Sequence, residues 1–313
     1  MKKILFRLFL SVFLVAAANA AAKTKVDIRP DGLYLTDVTV AQLEKQYELY
    51  GYKDYIYMPD WVYPPIFLTN LPTDFDRISD ANRRNKLFLQ IIGPLALKLS
   101  DELREERLAV RELRAAFLEG TDLTPEQERF VEEKAVKYDI FTRMKGRRRY
   151  DILLKRLELK VDIVPPSLLM AAAAIESDWG TNRIVREGNS LYKELAWYTD
   201  KGLKPQDDRQ DQSYRYKTFP SLYDSMKSYA LRLNSSVNYE QMRLYRAEIE
   251  YREKPVFGRS LAHTMLFDSN LKNFAGLLDY TITFYELTNF DEAELGFVRL
   301  RSEEHTSELQ SQR

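Results

Sequence analysis

The pattern of apolar and polar residues changes several times along the chain, and each change predicts a different element. Residues 1–20 combine a cationic start at Lys2, Lys3 and Arg7 with a short apolar run and an Ala-Asn-Ala sequence. This is the pattern of a cleaved signal peptide, and the apolar run is shorter than the roughly 20 residues that span a bilayer. We expect export to the periplasm or cell envelope and no integral membrane span after cleavage; an uncleaved anchor is the alternative.

Residues 21–76 are rich in tyrosine and proline and predict no long helix. Pro59, Pro64, Pro65 and Pro72 interrupt any helical period, because proline lacks a backbone N–H and clashes with the preceding turn. We expect an N-terminal arm or small subdomain whose aromatic side chains pack on the main body. A sugar-binding arm is the alternative.

Residues 77–160 predict a helical prefix, because apolar residues recur there at three- and four-residue spacing. We expect the first helix to be interrupted at Gly93-Pro94 and to end at Gly120. Thr124-Pro125-Glu126-Gln127 then predicts a helix start with a capping box, since threonine is a good N-cap and glutamine stands at the third helical position.

The basic run at residues 145–149 separates this helix from the next one, expected over residues 150–159. We interpret the run as a solvated surface turn. Contact with an anionic polymer is the alternative, because clustered lysine and arginine side chains attract such polymers.

Composition narrows the possible chemistry. The 313 residues include 47 basic and 47 acidic ones, so no positive excess indicates a nucleic-acid ligand. The chain has no cysteine and two histidines, which argues against disulfide scaffolds, metal centres and Ser-His-Asp hydrolases. We expect no metal and no other cofactor. Residues 301–313 are polar without an apolar period and are expected to be a non-native tail; a natural disordered tail is the alternative.

Residues 161–192 combine an apolar helix with a carboxyl group at its end. Two prolines open the helix, and Gly180 stands where a helix C-cap is expected. Glu176 therefore falls in the last turn, where the helix dipole and apolar surroundings both raise the pKa of a carboxyl group. A carboxylic acid that stays neutral can donate a proton in glycoside cleavage. The alternative is a structural glutamate that pairs with Arg183 or Arg186.

The motif around Glu176 resembles a known family. Residues 171–192, AAAAIESDWGTNRIVREGNSLY, are similar to the signature of Bax-like proteins and family 73 glucosaminidases, in which A-A-x-E-S-x-W-G precedes an N-N-L-F-G hairpin. The resemblance extends over about residues 83–294. It implies a mainly α (α+β), lysozyme-like domain over residues 161–300, with a small β-hairpin lobe beside a groove. The implied activity is hydrolysis of the β-1,4 bond after N-acetylglucosamine in peptidoglycan.

The resemblance also assigns roles to individual positions. Glu176 falls on the acid/base position, and Ser177 and Trp179 fall on positions that shape its pocket. Asn189 falls on the motif asparagine, and Tyr192 in the hairpin motif is a further candidate for contact with the peptidoglycan glycan strand.

The second catalytic group stays open at this stage. An inverting hydrolase needs a base about 6.5–9.5 Å from the acid, a retaining one needs a nucleophile about 5–5.5 Å away, and substrate assistance needs neither. We favour Asp207 or Asp208 among the hairpin acids, which also include Glu194, Asp200 and Asp211. Trp197 is expected either to stack on a sugar ring or to pack inside the hairpin.

Two departures from the family pattern bear on activity. Lys193 replaces a glycine, so a tight turn there requires a backbone conformation that glycine adopts more easily. Phe267 and Phe274 stand where family members carry tyrosines, so two hydroxyl groups would be missing. These departures keep open a non-catalytic wall-binding or scaffolding protein. A lytic transglycosylase is a third possibility, because it needs only one acid/base group.

Overall fold

A computed structural model describes residues 25–56, 58–197, 201–205, 213–265 and 271–297. The described chain is mainly helical with a few short strands, which confirms the predicted fold class. The expected signal peptide and the expected tail lie outside the described residues. Within the described ranges, no helix has both the length and the apolar character needed to cross a bilayer.

The N-terminal arm folds into a small sheet and one helix. Strand β1 runs antiparallel to β2, and β2 runs parallel to β4. The ring of Tyr63 stacks on that of Phe290, with centroids 4.5 Å apart, so the arm shares the core of the main body. The elements are β1 (Lys25–Arg29), β2 (Gly32–Thr36), α1 (Val40–Leu49), β3 (Val62–Tyr63) and β4 (Ile66–Leu68).

The prefix forms three helices, α2 (Ala81–Leu118), α3 (Pro125–Lys137) and α4 (Gly146–Lys160). The capping box predicted for α3 is confirmed. Thr124 accepts a hydrogen bond from the backbone N–H of Gln127, and the Gln127 side chain accepts one from the backbone N–H of Thr124.

The predicted interruption at Gly93-Pro94 is wrong, because α2 continues through both residues over 38 positions. A proline inside a helix costs about 3 kcal/mol or more, so packing must offset that cost. Both residues are buried. A Cβ atom on Gly93 would lie 2.6 Å from Cε1 of Phe290. The glycine therefore lets an aromatic ring pack directly on the helix.

The basic run is also not the predicted turn, since α4 already begins at Gly146. Arg147 is ion-paired with Asp122, and its guanidinium lies 4.1 Å from the ring centroid of Phe117. Arg149 is ion-paired with Glu132 through two hydrogen bonds of 2.6 Å. These partners on neighbouring segments hold the arginines in the first turn of the helix.

The C-terminal half surrounds one buried helix, α5 (Pro166–Glu176). Helix α5 packs against α2, α9 and α10, and residues 171–174, all alanine, are fully buried, so neighbouring backbones approach closely. The remaining elements are α6 (Arg183–Gly188), β5 (Leu195–Trp197), β6 (Tyr214–Tyr216), α7 (Leu222–Ser235), α8 (Glu240–Tyr251), α9 (Gly258–Ala262), α10 (Phe274–Phe284) and β7 (Glu294–Leu295).

Two apolar cores hold the described chain together. The larger core surrounds α5 and includes the arm, the first half of α2 and helices α7 to α10. The smaller core joins the second half of α2 to α3 and α4; its buried residues are Val110, Phe117, Val131, Ala135, Tyr138, Ile140, Leu153, Leu154, Leu157 and Val161. The prefix helices α3 and α4 thus form a lobe with a core of their own.

Candidate active site

Glu176 is the last residue of α5, as the sequence predicts, and its side chain is 8% exposed. The helix ends at Ser177, whose side chain is fully buried and whose Oγ accepts a hydrogen bond of 2.9 Å from the backbone N–H of Gly180. The carboxyl group of Glu176 is therefore set at the negative end of a helix dipole with little access to water, and both conditions favour the neutral acid.

The backbone after Glu176 turns through three consecutive residues with positive φ, Asp178 (51°), Trp179 (58°) and Gly180 (80°). Gly180 also has no room for a side chain, because a Cβ atom there would lie 2.8 Å from Phe75 and 2.9 Å from Phe88. Such left-handed conformations cost free energy outside glycine and persist where the surrounding structure holds them in place. This loop is held by the larger core.

Trp179 begins a series of aromatic rings that leads from the Glu176 loop to the surface. Its ring lies 4.6 Å from that of Tyr285, which lies 5.0 Å from that of Phe284. Phe284 in turn stacks on Tyr280 at 5.4 Å. Phe284 and Tyr280 are 62% and 60% exposed. Rings at this exposure offer flat apolar faces, which the C–H face of a sugar can contact.

The predicted hairpin lobe is present as two short antiparallel strands. Leu195 pairs with Tyr216, and Trp197 pairs with Tyr214. Trp197 is 54% exposed, with its ring 5.4 Å from that of Tyr214. Two roles were expected for Trp197, and this exposure fits a ring that is available for stacking on a sugar. It does not fit a ring packed inside the hairpin.

Tyr216 connects the hairpin to Glu176. The pKa of the Tyr216 hydroxyl is raised, mainly by burial. A hydrogen bond with Tyr214 and the negative charge of Glu176 raise this pKa further. The positive charge of Arg183 acts in the opposite direction. The Tyr216 hydroxyl thus lies within electrostatic range of both residues. Sequence analysis did not select Tyr216. The alternation in Tyr214-Arg215-Tyr216 would have placed both tyrosines on one face of a strand.

The arginines proposed as structural partners of Glu176 have other partners. Arg183 is ion-paired with Glu187 at 2.8 Å and donates a hydrogen bond of 2.6 Å to the carbonyl of Lys204. Arg186 is ion-paired with Asp76. The structural role considered for Glu176 as a partner of one of these arginines stays an alternative.

Two of the residues selected from the hairpin motif stabilise the fold around the site. Asn189 ends α6 with a φ of 52°, and its Nδ2 donates a hydrogen bond of 3.2 Å to the carbonyl of Phe219. Tyr192 is 3% exposed and stacks on Tyr229 with centroids 3.9 Å apart. Its hydroxyl donates to the carbonyl of Leu169 at 3.2 Å. The expected contact of Tyr192 with substrate is corrected to a packing role, because neither ring face is open.

The two departures from the family pattern have different consequences. Lys193 adopts a φ of 46°, so the chain keeps the left-handed turn without glycine. Its Nζ lies 3.5 Å from Oδ2 of Asp178 in the loop after Glu176. Phe274 is 3% exposed and belongs to the larger core. The phenylalanine ring at this position therefore packs in the core, and the effect of the missing hydroxyl on activity stays a prediction.

The residues favoured as the second catalytic group, Asp207 and Asp208, lie outside the described residues, as do Asp200, Asp211 and Phe267. Among the hairpin acids, Glu194 is described and is 4% exposed. Its Oε2 lies 3.3 Å from Nζ of Lys217 and 3.2 Å from Oγ of Ser228. Glu194 thus joins the base of the hairpin to α7 and is poorly placed to activate a solvent water.

A cavity of about 290 Å³ lies at the opposite, N-terminal end of α5. Some of its charged lining groups pair with one another, as in the ion pairs of Asp162 with Arg107 and Arg246 at 2.8 and 3.2 Å. The carboxylate of Asp291 also lines it. Glu176 is not among the lining residues, so this cavity is not the site of the proposed chemistry.

No candidate metal centre occurs within the described ranges, where no three histidine, aspartate or glutamate side chains converge. His263 packs edge-on against the ring of Tyr245 at 4.8 Å. His263 is otherwise exposed at the surface.

Comparison with known proteins finds a family model that matches part of the chain. Residues 153–266 match the glucosaminidase family model, described as mannosyl-glycoprotein endo-beta-N-acetylglucosaminidase. Over these residues the chain is similar to the glucosaminidase family. The match contains Glu176, the loop after it and both hairpin strands, and it confirms the resemblance drawn from the sequence motif.

Two further proteins are similar to this chain. Protein bax from Escherichia coli K12 is 24% identical over 206 residues, which cover 63% of this chain and 67% of that protein. The catalytic domain of the autolysin Auto from Listeria monocytogenes aligns with 57% of this chain and 96% of its own, at 18% identity and a TM-score of 0.31. The similarity to Bax extends well beyond the glucosaminidase domain itself.

Proposed function

We propose that this chain is an exported peptidoglycan hydrolase that cleaves the β-1,4 bond after N-acetylglucosamine. The observation that carries the proposal is Glu176, a glutamate with little solvent access at the C-terminus of a buried helix within the residues similar to the glucosaminidase family. Glu176 acts as the general acid and donates its proton to the oxygen of the scissile glycosidic bond.

The surroundings of Glu176 support this role. The helix dipole and burial favour the neutral acid, which is the form that can donate a proton. The strained loop 177–180 positions the end of the helix, and the Tyr216 hydroxyl on the hairpin lies within electrostatic range of Glu176. The hydroxyl of Tyr216 is in a position to orient a sugar hydroxyl or a water molecule.

The exposed aromatic rings on two sides of the site support a glycan substrate. Trp197 lies on the hairpin, and Tyr285, Phe284 and Tyr280 lead away from Trp179 on the helical side. Rings arranged in this way can contact successive sugars of one strand, because each pyranose presents an apolar face. The glycan strand of peptidoglycan is the partner that fits this arrangement and the proposed activity.

The second catalytic group remains part of the proposal. Asp207 or Asp208 would act from the hairpin, either as the base of an inverting reaction or as the nucleophile of a retaining one; the separation of the carboxyl groups distinguishes these two courses. Participation of the 2-acetamido group of the substrate would need no second carboxylate. The pairing of Glu194 with Lys217 favours the two aspartates over Glu194.

The experiment that tests the proposal is digestion of purified peptidoglycan, followed by mass spectrometry of the products. We expect fragments with reducing N-acetylglucosamine ends. The variant Glu176→Gln should lose at least about 100-fold in rate, because the amide keeps the shape of the side chain but has no acidic proton, and general acid–base catalysis contributes roughly 10²–10⁴-fold. Glu105→Gln, on the exposed side of α2, is the matched control and should retain full activity.

The products also distinguish the alternatives. Anhydro-muramic ends would indicate a lytic transglycosylase. Binding to peptidoglycan without cleavage would indicate a wall-binding or scaffolding protein. Full activity of Glu176→Gln would remove Glu176 from the mechanism.

A further inference from the structure

A surface on the prefix lobe has a composition that the proposed hydrolysis does not explain. Residues 140–148, here called the basic strap, run along α4 and continue into its first turn. Arg156 of α4 donates a hydrogen bond of 2.8 Å to the carbonyl of Phe141, and Arg149 donates one of 3.1 Å to the carbonyl of Thr142. Ile140 is 4% exposed and anchors the strap in the smaller core.

Two large apolar side chains of the strap point into solvent. Phe141 is 72% exposed and Met144 is 41% exposed, although Ile140 beside them is buried. The backbone of Phe141 is held by Arg156, so the exposure of its ring belongs to an ordered segment. Since the burial of such a side chain away from water is favourable, the exposed pair offers affinity to an apolar partner.

The same surface carries cations that lack acidic partners. Arg143, Lys145 and Arg148 in the strap, with Lys155 and Arg156 on α4, are all exposed. Within the described ranges, no carboxylate oxygen forms an ion pair with any of the five, whereas the adjacent Arg147 and Arg149 are both paired. No acidic residue occurs between positions 139 and 151 of the sequence. The surface is therefore cationic and apolar at once.

We propose that the basic strap binds the surface of an anionic lipid bilayer. The cations would contact the lipid headgroups, and Phe141 and Met144 would enter the boundary between headgroups and acyl chains. Interfacial membrane binding combines these two features, buried apolar area and attraction to anionic lipids. A soluble polyanion would be attracted by the cations alone and would leave Phe141 exposed, so the apolar residues favour the bilayer.

The strap is separate from the site around Glu176. It rests on the smaller core, and α5 lies in the larger one. The proposal therefore does not depend on the proposed hydrolytic activity. Its effect would be to hold the protein at a membrane surface through the prefix lobe and to leave the site around Glu176 free to act.

The test is sedimentation of the full-length protein with phosphatidylcholine vesicles, with and without phosphatidylglycerol. We expect binding to the anionic vesicles that weakens with salt. The triple variant Arg143→Gln/Lys145→Gln/Arg148→Gln should lower the partition coefficient roughly 100-fold, since each cation near the surface contributes on the order of a fivefold factor. The double variant Phe141→Ser/Met144→Ser should lower it by roughly 100-fold as well, since two large apolar side chains no longer enter the bilayer boundary.

Matched controls separate the strap from general charge and exposure. Lys45→Gln/Lys53→Gln/Lys86→Gln removes three exposed cations elsewhere, and Tyr251→Ser removes an apolar ring that is 90% exposed. Both should bind vesicles as the unchanged protein does, and all variants should unfold at the same temperature. All proteins share the same N-terminal segment, so differences between them report on the strap.

Three outcomes would overturn the proposal. The first is equal binding of the strap variants and the unchanged protein. The second is vesicle binding that the triple variant weakens and the double variant leaves unchanged, with soluble polyphosphate bound as tightly as the vesicles. This result would indicate a polyanion site. The third is self-association that the double variant abolishes in the absence of lipid, which would indicate an interface between copies of this chain.

Discussion

The two ends of helix α5 carry two carboxyl groups in opposite electrostatic settings. At the N-terminal end, Asp291 accepts hydrogen bonds from the backbone N–H of Ser167 (2.8 Å), the Ser167 hydroxyl (2.7 Å) and the backbone N–H of Gly258 (3.0 Å). At the C-terminal end, Glu176 is itself the last helical residue. The helix dipole favours a charged carboxylate at the first end and a neutral acid at the second.

This difference shows how one helix can serve structure and chemistry at once. Asp291 satisfies donors that a helix N-terminus leaves without partners, so its role is complete within the fold. Burial nevertheless raises its pKa to about 6, against the lowering effect of all three hydrogen bonds. At the N-terminal end, desolvation of Asp291 thus outweighs three hydrogen bonds that favour the charged form. At the C-terminal end, desolvation and the helix dipole both favour the neutral form of the carboxyl group. The proposed acid therefore depends on how well the C-terminal end is held and shielded.

The largest effect is expected at the C-terminal end, for Gly180→Ala. Gly180 has a φ of 80°, and the new Cβ would lie 2.8 Å from Phe75 and 2.9 Å from Phe88. Backbone strain and overpacking together should lower the free energy of unfolding by roughly 3 kcal/mol, measured by urea denaturation. Peptidoglycan digestion should also fall, because the loop after Glu176 must move.

Gly120→Ala is the control for Gly180→Ala. Gly120 has a φ of 101°, but a Cβ atom added there would have no atom within 4 Å. Only the backbone strain should appear there, at about 1 kcal/mol. Equal losses for the two variants would contradict tight packing around the loop and leave Glu176 without a rigid support.

Sequence analysis located the C-terminal end of α5 well because its signals are local. The proline start and the apolar face depend on neighbours within a few residues, and so does the capping box at Thr124; the C-cap itself is Ser177, three residues before the Gly180 expected there. The interruption expected at Gly93-Pro94 failed for the opposite reason. The contact that stabilises this stretch comes from Phe290, almost 200 residues further along the chain.

The same distinction explains the site residues. Glu176 and Trp179 follow from a contiguous motif, whereas Tyr216 and Tyr285 come from distant segments of the chain. Tyr192 belongs to the motif, yet its side chain turns into the core and stacks on Tyr229. A motif therefore indicates which positions matter, and only the packing tells whether each side chain faces the substrate or the fold.

The next largest effect is expected at the N-terminal end, for Asp291→Asn. A folded-state pKa of about 6 lies above the usual value of 3.8, so between these pH values the folded protein holds a proton that the unfolded chain has released. The contribution of Asp291 to stability should therefore fall by roughly 2 kcal/mol as the pH rises from about 4 to 6. In the asparagine variant this titration is absent.

The measurement for Asp291→Asn is the free energy of unfolding of both proteins across this pH range. The difference between the unchanged protein and the variant should decrease with rising pH and become constant above about pH 7, because Asp291 is then ionised in both states. Asp279→Asn, which removes an exposed carboxylate paired with Arg259, is the control. The difference in the free energy of unfolding between the unchanged protein and this variant should not change with pH over the same range. A constant difference across the range would show that Asp291 is ionised throughout.

The smallest effect returns to the C-terminal end, where Lys193 from the hairpin approaches the loop after Glu176. Lys193→Gly removes a residue with a φ of 46° and also the 3.5 Å contact of its Nζ with Asp178. Relief of the left-handed strain is worth about 1 kcal/mol, while the exposed ion pair and the added freedom of the unfolded chain offset part of it. We expect a net gain of roughly 0.5 kcal/mol, measured by urea denaturation. The control is Lys193→Ala, which keeps the backbone strain and loses only the contact with Asp178. If the glycine variant is no more stable than the alanine variant, the backbone at Lys193 is not under strain.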